Sequence, residues 1–552
     1  MNWNILNKAN STKEIMQNIL KYKNMTKEEI LNFINFNIEE HDPYLLTNLD
    51  KAIDRILNAI EKKETITIIG DYDVDGICAT TVLYLTLKDF TQTYYIIPDR
   101  FKDGYGISNK LINKAQEYKT NLIITVDNGI KAHEQVKYCK ELNMDIIITD
   151  HHAFEDNTLP AKITINPQID NNYPFKNICG CTVAYKLSTA LLNKLILNKE
   201  YEEKILKNDN SLISELKQFV CLATIADVMP LIDENRLFIK EGLDLLTIGS
   251  NNIGLDSLLK QLNINKVTSN DIAFYIAPCI NAAGRLESPN IVMDLFLCED
   301  FIECDKISKY LIELNNKRKE IQKEILDNLI INDNDDFIVQ YIDKDLPGIV
   351  GIIAGNIVEK YKKPCFCLCG TNDILHGSGR SINGFPINQI IEQNDFLDGG
   401  GHKDACGIKV AKNNLSKLQE ISNKEFKKYL NDNPNYNIES IDIINKINFN
   451  VINDRLINNI NKLQPFGNSN EEPLFCTENV FIKSSKIVGV NKNVIQLILE
   501  NNNIELKAIG FKNIIDKFLD INKSYIDIIY TIGFNEWPKN IFNIQLNIKD
   551  IK

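Results

Sequence analysis

Short apolar runs, each closed by a polar or glycine-containing turn and followed by apolar residues at helical spacing, recur along the first third of the chain. The runs fall at residues 65–70, 93–98, 121–127, 144–150 and 162–167. Residues 77–87, 109–118 and 133–142 carry the helical spacing between them. Strands without polar alternation are buried on both faces, so the pattern predicts a parallel, doubly wound α/β sheet. Residues 179–330 read as mostly helical. Their last stretch, 308–330, is charged and fits a spacer helix between domains or a plain surface helix. A second, smaller α/β pattern starts at 337–342, continues through 350–361 and 365–369, and ends near Ile408. Beyond a junction at 434–447 come five strand-like runs and one helical run at 512–518, the order of a small OB-like β-barrel. The expected divisions are an N-terminal arm (1–45), a first α/β domain (46–240), a helical connector (241–330), a second α/β domain (331–432) and the OB-like domain (433–552).

Composition narrows the class. The chain has 552 residues, 44% hydrophobic and 25% charged, enough for several ordinary globular domains. A net charge of −12 excludes binding of nucleic acid by bulk positive charge but permits a local basic groove. No run approaches the roughly 18 apolar residues of a membrane helix. The first residues lack the apolar core of a signal peptide. The expected location is cytoplasmic, with no membrane association. The 13 Cys show no secreted-type spacing and no Cys-x-x-Cys pair. Cys365, Cys367 and Cys369 alternate along one strand face and read as small buried hydrophobes in a reducing compartment; a zinc site would need a second ligand pair.

Three acidic or histidine clusters close three of these strands: Asp71-Tyr72-Asp73-Val74-Asp75-Gly76, Thr125-Val126-Asp127-Asn128-Gly129, and Asp150-His151-His152. Any one of these aspartates alone reads as a cap. Together they stand at the carboxyl edge of an open α/β sheet, where ligands bind. Three carboxylates within five residues repel one another unless a cation lies among them. Oxygen donors with an imidazole suit Mn2+ or Mg2+, and there are enough donors for two ions, the arrangement for in-line phosphoryl chemistry. Asp227, in an apolar run, is a further carboxylate candidate or a simple cap. Arg100 follows the 93–98 run beside a Gly-rich turn. Gly377-Ser378-Gly379-Arg380-Ser381 and Gly399-Gly400-Gly401-His402-Lys403 read either as tight turns or as phosphate cradles built from backbone N–H groups and cations.

These motifs in this order, with Ile225-Ala226-Asp227-Val228-Met229-Pro230-Leu231, resemble the DHH phosphoesterase superfamily. The Gly-Ser-Gly-Arg-Ser and Gly-Gly-Gly-His segments resemble its DHH-associated domain. His41-Asp42-Pro43, the Ile280–Arg285 segment and Leu463-Gln464-Pro465-Phe466-Gly467 are similar to its branch of bacterial exonucleases specific for single-stranded DNA. The resemblance implies 5′→3′ hydrolysis of single-stranded DNA to 5′-mononucleotides in repair and recombination. It implies two divalent ions, Mn2+ preferred or Mg2+, held by Asp73, Asp75, Asp127, His151 and Asp227, with Asp127 bridging. His152 would contact the scissile phosphate, and Asp71 and Asp150 would be auxiliary catalytic groups. Arg100, Asn281, Arg285, Ser378, Arg380, Gly400, Gly401 and His402 would bind substrate. The implied partners are single-stranded DNA, a helicase and a single-strand-binding protein; a monomer is expected.

Three positions depart from the family pattern: Cys279, Leu346 and Asn356. They remove two cations and a hydrogen-bonding ring, so the resemblance implies weaker DNA binding and a larger share for Arg380. In the C-terminal domain Phe511, Tyr530, Phe534 and Trp537 could stack bases or fill the barrel core. Two other readings stand beside the exonuclease. One is a nano-RNA or cyclic-dinucleotide phosphodiesterase of the same superfamily, against which the C-terminal barrel speaks. The other is a catalytically silent DNA-binding scaffold, against which intact Asp73, Asp75, Asp127 and His151 speak.

Overall fold

The computed structural model describes residues 2–104, 106–154, 158–169, 172–206, 209–332, 335–434, 436, 440–489, 492–521, 524–535 and 543–552. Two units divide the chain: residues 40–437, and residues 1–39 together with 438–552. Among the described residues no helix is long and apolar enough to cross a membrane. The first strand, β1 (Asn2–Ile5), belongs to the second unit.

In the 40–437 unit, β2 (Ile66–Ile69), β3 (Thr93–Ile96), β4 (Leu122–Val126), β5 (Asp145–Thr149) and β6 (Ile163–Ile165) form a sheet of order β3-β2-β4-β5-β6. Every pairing is parallel. The period-2 alternation of side chains splits the apolar runs between two layers. Ile66, Ile68, Leu122, Ile124 and Val126 pack with the helices Leu49–Glu61, Val74–Leu87 and Gly180–Leu195. Ile69 and Ile123 pack on the other face with Asn109–Glu117 and His133–Glu141. Each fully buried Ile contributes about 1.5–3 kcal/mol. The chain leaves β2 toward β3 and then crosses to β4 on the opposite side, so the switch point lies between β2 and β4, where Asp71–Asp75 and Asp127 emerge.

The second sheet of this unit has the order β10-β11-β9-β8-β7, from β7 (Ile338–Ile342), β8 (Cys365–Cys369), β9 (Ile374–Arg380), β10 (Leu397–His402) and β11 (Ala405–Ala411). Cys365, Cys367 and Cys369 face the helix Pro347–Tyr361, while Phe366 and Leu368 face the opposite core. All cysteines but Cys298 are buried. One expectation changes here. Gly377–Arg380 is neither a tight turn nor a backbone cradle: it lies inside β9, flanked by β8 and β11, whose ladders engage its backbone groups. Only its side chains remain for a ligand.

The other unit is built on β12 (Ser440–Ile443), β13 (Asn445–Lys446), β14 (Phe475–Val488), β15 (Val494–Asn501), β16 (Ile504–Phe511), β17 (Tyr525–Asn535) and β18 (Asn543–Ile551). The path β14-β15-β16-β18-β17 closes because β14 also pairs with β17, giving a five-stranded barrel. Residues 1–39 are not a separate arm. β1 pairs in parallel with β12, and Ile15 and Ile19, one helical turn apart, enter the core that holds Leu456, Ile457 and Phe475. An amphipathic stripe of this kind needs an apolar partner, and the barrel's flank supplies it. Tyr530 is core, fully buried with its hydroxyl 2.7 Å from Thr477 Oγ1, whereas Phe511 is exposed. Trp537 lies outside the described residues. Deleting residues 1–39 uncovers the partners of Ile15, Ile19 and Phe33, a loss of about 1.5–3 kcal/mol for each. The expected result is rapid proteolysis of residues 438–552 with the 40–437 unit still resistant. Equal resistance of both units in the truncated protein would refute it.

Candidate active site

The turn after β2 carries the first donors. Asp73 caps the helix Val74–Leu87 by accepting the Gly76 N–H at 3.0 Å. Asp75, in the first turn of that helix, accepts the backbone N–H groups of Gly180 and Cys181, both at 2.7 Å. These are the first residues of the helix Gly180–Leu195, whose N-terminus is thus aimed at the acidic cluster. A Cβ on Gly180 would stand 2.6 Å from Asp127 Cβ, so only glycine permits this approach.

Asp127 follows β4 with φ +61°, the left-handed region that few non-glycine residues adopt. Its neighbours hold the turn. Asn128 Nδ2 donates to Ile69 O and Val126 O, and Thr125 Oγ1 donates to Asn128 O. After β5, Asp150 accepts from the N–H groups of Ile130 (2.9 Å), His151 (2.7 Å) and His152 (3.1 Å), and binds His152 Nδ1 at 2.8 Å. His151 Nε2 stands 3.1 Å from Asp127, 3.6 Å from Asp75 and 3.7 Å from Asp227.

The donors assort into groups with atoms all within 4.8 Å: Asp75 with His151 and Asp227, Asp71 with Asp73 and Asp127, and Asp127 with His151 and His152. Asp127 therefore belongs to two groups, one with Asp71 and Asp73 and one with the two histidines, and it meets the Asp75 and Asp227 set through His151. Asp71, expected as auxiliary, sits beside Asp73 as a full member of one group. Burial, then repulsion among the carboxylates, pushes Asp71 and Asp127 well above the usual range, raises Asp73, and raises Asp227 to about 8. Burial outweighs the nearby carboxylates at His151 and lowers it, which favours the neutral ring that ligates metals. Burial opposes charge on His152 too, but the Asp150 hydrogen bond and the surrounding carboxylates outweigh it and raise this residue to about 9. Asp71 Oδ1 and Asp127 Oδ1 are buried without a hydrogen bond. Crowded carboxylates with orphaned oxygens beside a neutral imidazole fit divalent cations.

A pH dependence follows from these shifts. Unfolded aspartates titrate near 3.9. In the folded, metal-free protein the raised carboxylates still hold protons that the unfolded chain has released. The folded state binds more protons, so stability falls as pH rises from about 4 through about 8, by roughly 1.4 kcal/mol per pH unit for each proton held. His152 acts in the same direction between its unfolded value, about 6.5, and about 9. The expected result is a lower unfolding temperature at pH 8 than at pH 6 in chelator, with the order reversed by Mn2+. Thermal denaturation in both buffers checks it.

The substrate candidates surround this cluster. The Arg100 guanidinium lies 4.1 Å from the Tyr72 ring centre. Arg285, at the end of the helix Ala277–Leu286 that also carries Asn281, donates to Gly348 O at 3.1 Å. Arg380 donates to Ser378 Oγ at 2.9 Å. Burial, then Arg100 and Arg318, lowers Arg285 to about 10. His402 lines a cavity of about 360 Å³ with His152, Asp150, Ile130 and Gln135. Gly400 and Gly401 lie in β10, the exposed edge strand that leads to His402. His41 is elsewhere, its ring 2.7 Å from Asp233. Of the three departures, Leu346 packs against the apolar cluster under Pro347–Tyr361. Cys279 accepts from Asn315, and Asn356 accepts from Gln322. The N–H groups of Gly180 and Cys181 escape sequence reading because their contact with Asp75 spans more than 100 residues.

A switch-point donor cluster of this kind on a doubly wound sheet is the arrangement expected of a DHH-type fold, and the comparisons with known proteins give the same class. The chain matches the DHH family, N-terminal domain, over residues 65–224, the DHHA1 domain over 334–430, and the RecJ OB domain over 443–550. The single-stranded-DNA-specific exonuclease RecJ of Escherichia coli is 32% identical over 396 residues, covering 68% of each chain. RecJ of Bacillus subtilis is 32% identical over 526 residues, which are 92% of this chain and 64% of that protein. The chain belongs to the RecJ family. A crystal structure of exonuclease RecJ bound to manganese matches with TM-score 0.61 and 28% identity over 69% of this chain and 95% of that one. RecJ from Thermus thermophilus in complex with Mn2+ shares the fold across 100% of this chain and 79% of its own, with TM-score 0.82 and 22% identity.

Proposed function

We propose that this chain is a metal-dependent exonuclease that degrades single-stranded DNA from the 5′ end to 5′-mononucleotides. The observation that carries the reading is Asp127, held at a positive φ between two groups of metal-type donors. Asp75, His151 and Asp227 would hold one divalent ion and Asp71 and Asp73 the other, with Asp127 shared. Mn2+ suits the mixed oxygen and nitrogen set better than Mg2+. When bound, two such ions supply a nucleophilic water at neutral pH and offset the charge of the phosphodiester.

The chain's own residues do the rest. His152, kept protonated by Asp150, faces the reacting phosphate from the cavity it shares with His402. Arg100, Arg285, Ser378 and Arg380 hold phosphate oxygens, and Asn281, Gly400 and Gly401 lie along the strand's path. Hydrolysis breaks the bond between phosphorus and the 3′ oxygen of the terminal nucleotide. The shortened strand keeps a 5′ phosphate, so each product presents the same end as the last substrate. The barrel unit would retain the strand, and a helicase or a single-strand-binding protein would be its natural supplier.

The test uses one oligonucleotide labelled at either end, with Mn2+. A 5′ label is expected to appear at once as mononucleotide, while a 3′ label stays on progressively shorter strands. Duplex DNA, short RNA and cyclic dinucleotides are expected to be poorer substrates. Prior release of the 3′ label, or faster turnover of a cyclic dinucleotide, would overturn the reading.

A further inference from the structure

A guanidinium on the long connector helix Phe301–Asp327 has the features of a phosphate ligand. Arg318 donates from Nε and Nη2 to Asn315 Oδ1, at 3.1 and 2.8 Å, and from Nη1 to Gln322 Oε1 at 3.0 Å. Both acceptors are neutral and lie about one turn to either side on the same helix. Each is anchored in turn. Asn315 Nδ2 donates to Cys279 Sγ at 3.4 Å, and Gln322 Nε2 donates to Asn356 Oδ1. Side chains from Ala277–Leu286, Phe301–Asp327 and Pro347–Tyr361 thus fix the plane of the guanidinium, and two of its five N–H donors have no acceptor among the described residues.

The charge balance points the same way. Arg318 is half-buried, and among the described residues no carboxylate pairs with it, with Arg285 or with Arg380. Arg285 feels the charges of Arg100 and Arg318, with the carboxylate of Asp73 a smaller, opposing influence. Like charges drawn partly out of water with no carboxylate paired to them are costly, and an oxyanion bound by both relieves both. A salt bridge would have served stability alone; neutral acceptors orient the cation and leave its charge for a ligand.

We propose that Arg318 is a further phosphate-binding residue, taking a backbone phosphate of the single strand beside Arg285. The proposal rests on the exonuclease reading. The test measures initial rates of label release by the Mn2+-loaded full chain between 50 and 200 mM KCl, for wild type, Arg318→Gln and Arg318→Lys. Arg318→Gln is expected to raise KM about tenfold with kcat nearly unchanged. It should also make log(kcat/KM) fall less steeply with log salt, by about 0.7, the value of one phosphate contact on a single strand. Arg318→Lys, which keeps the charge but not the fork, should restore the salt slope and only part of KM. An unchanged KM and slope in Arg318→Gln overturns the proposal, and so does a raised KM with the wild-type slope, which marks a positioning role. No label release by wild type would instead defeat the exonuclease reading.

Discussion

Asp127→Asn is expected to reduce turnover at least about a thousandfold while making the metal-free protein more stable. Asn is nearly the same size and is among the few residues that tolerate the left-handed backbone at this position, φ +61°, so the turn should survive. What disappears is the charge that Asp127 brings to its two donor groups, one with Asp71 and Asp73 and one with His151 and His152. A thousandfold in rate corresponds to roughly 4 kcal/mol, within what a lost metal-bridging interaction can supply. Without metal the same change removes a buried carboxylate that burial and four neighbouring aspartates drive toward protonation. Stability should therefore rise in chelator, most clearly at pH 8. Calorimetric titration with Mn2+ should show fewer than two sites. More than a tenth of wild-type turnover at saturating Mn2+ would remove Asp127 from the bridging position.

The site's donors are legible in the sequence for a physical reason. Strands covered on both faces must be apolar throughout, so Asp71–Asp75, Asp127 and Asp150–His152 stand out sharply where such strands end. Asp227 is less legible, since a carboxylate after an apolar helix reads equally well as a cap. What the pattern cannot convey is contact between distant segments. Asp75 shows nothing in sequence of the helix that donates to it, and Ile15 and Ile19 announce an apolar stripe without naming the barrel that covers it. Gly377–Arg380 misleads for a related reason. A glycine-rich segment announces freedom, but flanking strands on both sides turn it into ladder and leave Ser378 and Arg380 to act through side chains. The departures at Cys279 and Asn356 read as lost cations; in three dimensions their polar atoms belong to the network that holds Arg318.

Gly180→Ala is expected to cost activity as heavily as loss of a metal ligand, although Gly180 has no side chain to offer a metal or a substrate. Helix propensity alone predicts the opposite, since Ala inside a helix is favoured over Gly by about 1 kcal/mol. Sterics decide it. The added Cβ would lie 2.6 Å from Asp127 Cβ, 2.7 Å from its Oδ1 and 2.9 Å from its Cα, distances that real atoms do not share. Either Asp127 leaves its strained turn or the helix start withdraws, breaking the two 2.7 Å bonds to Asp75. Both routes pull apart the donor groups on which the ions depend, and a shift near 1 Å at a reacting centre is worth about a hundredfold. Gly355 provides the control. It lies within the helix Pro347–Tyr361 with nothing within 4 Å of its added Cβ, so Gly355→Ala should be neutral or stabilising by up to about 1 kcal/mol, with activity retained. Thermal unfolding with and without Mn2+, beside label release, reads both variants. If Gly180→Ala binds two Mn2+ ions and turns over like Gly355→Ala, the close approach of this helix to Asp127 is not what holds the site together.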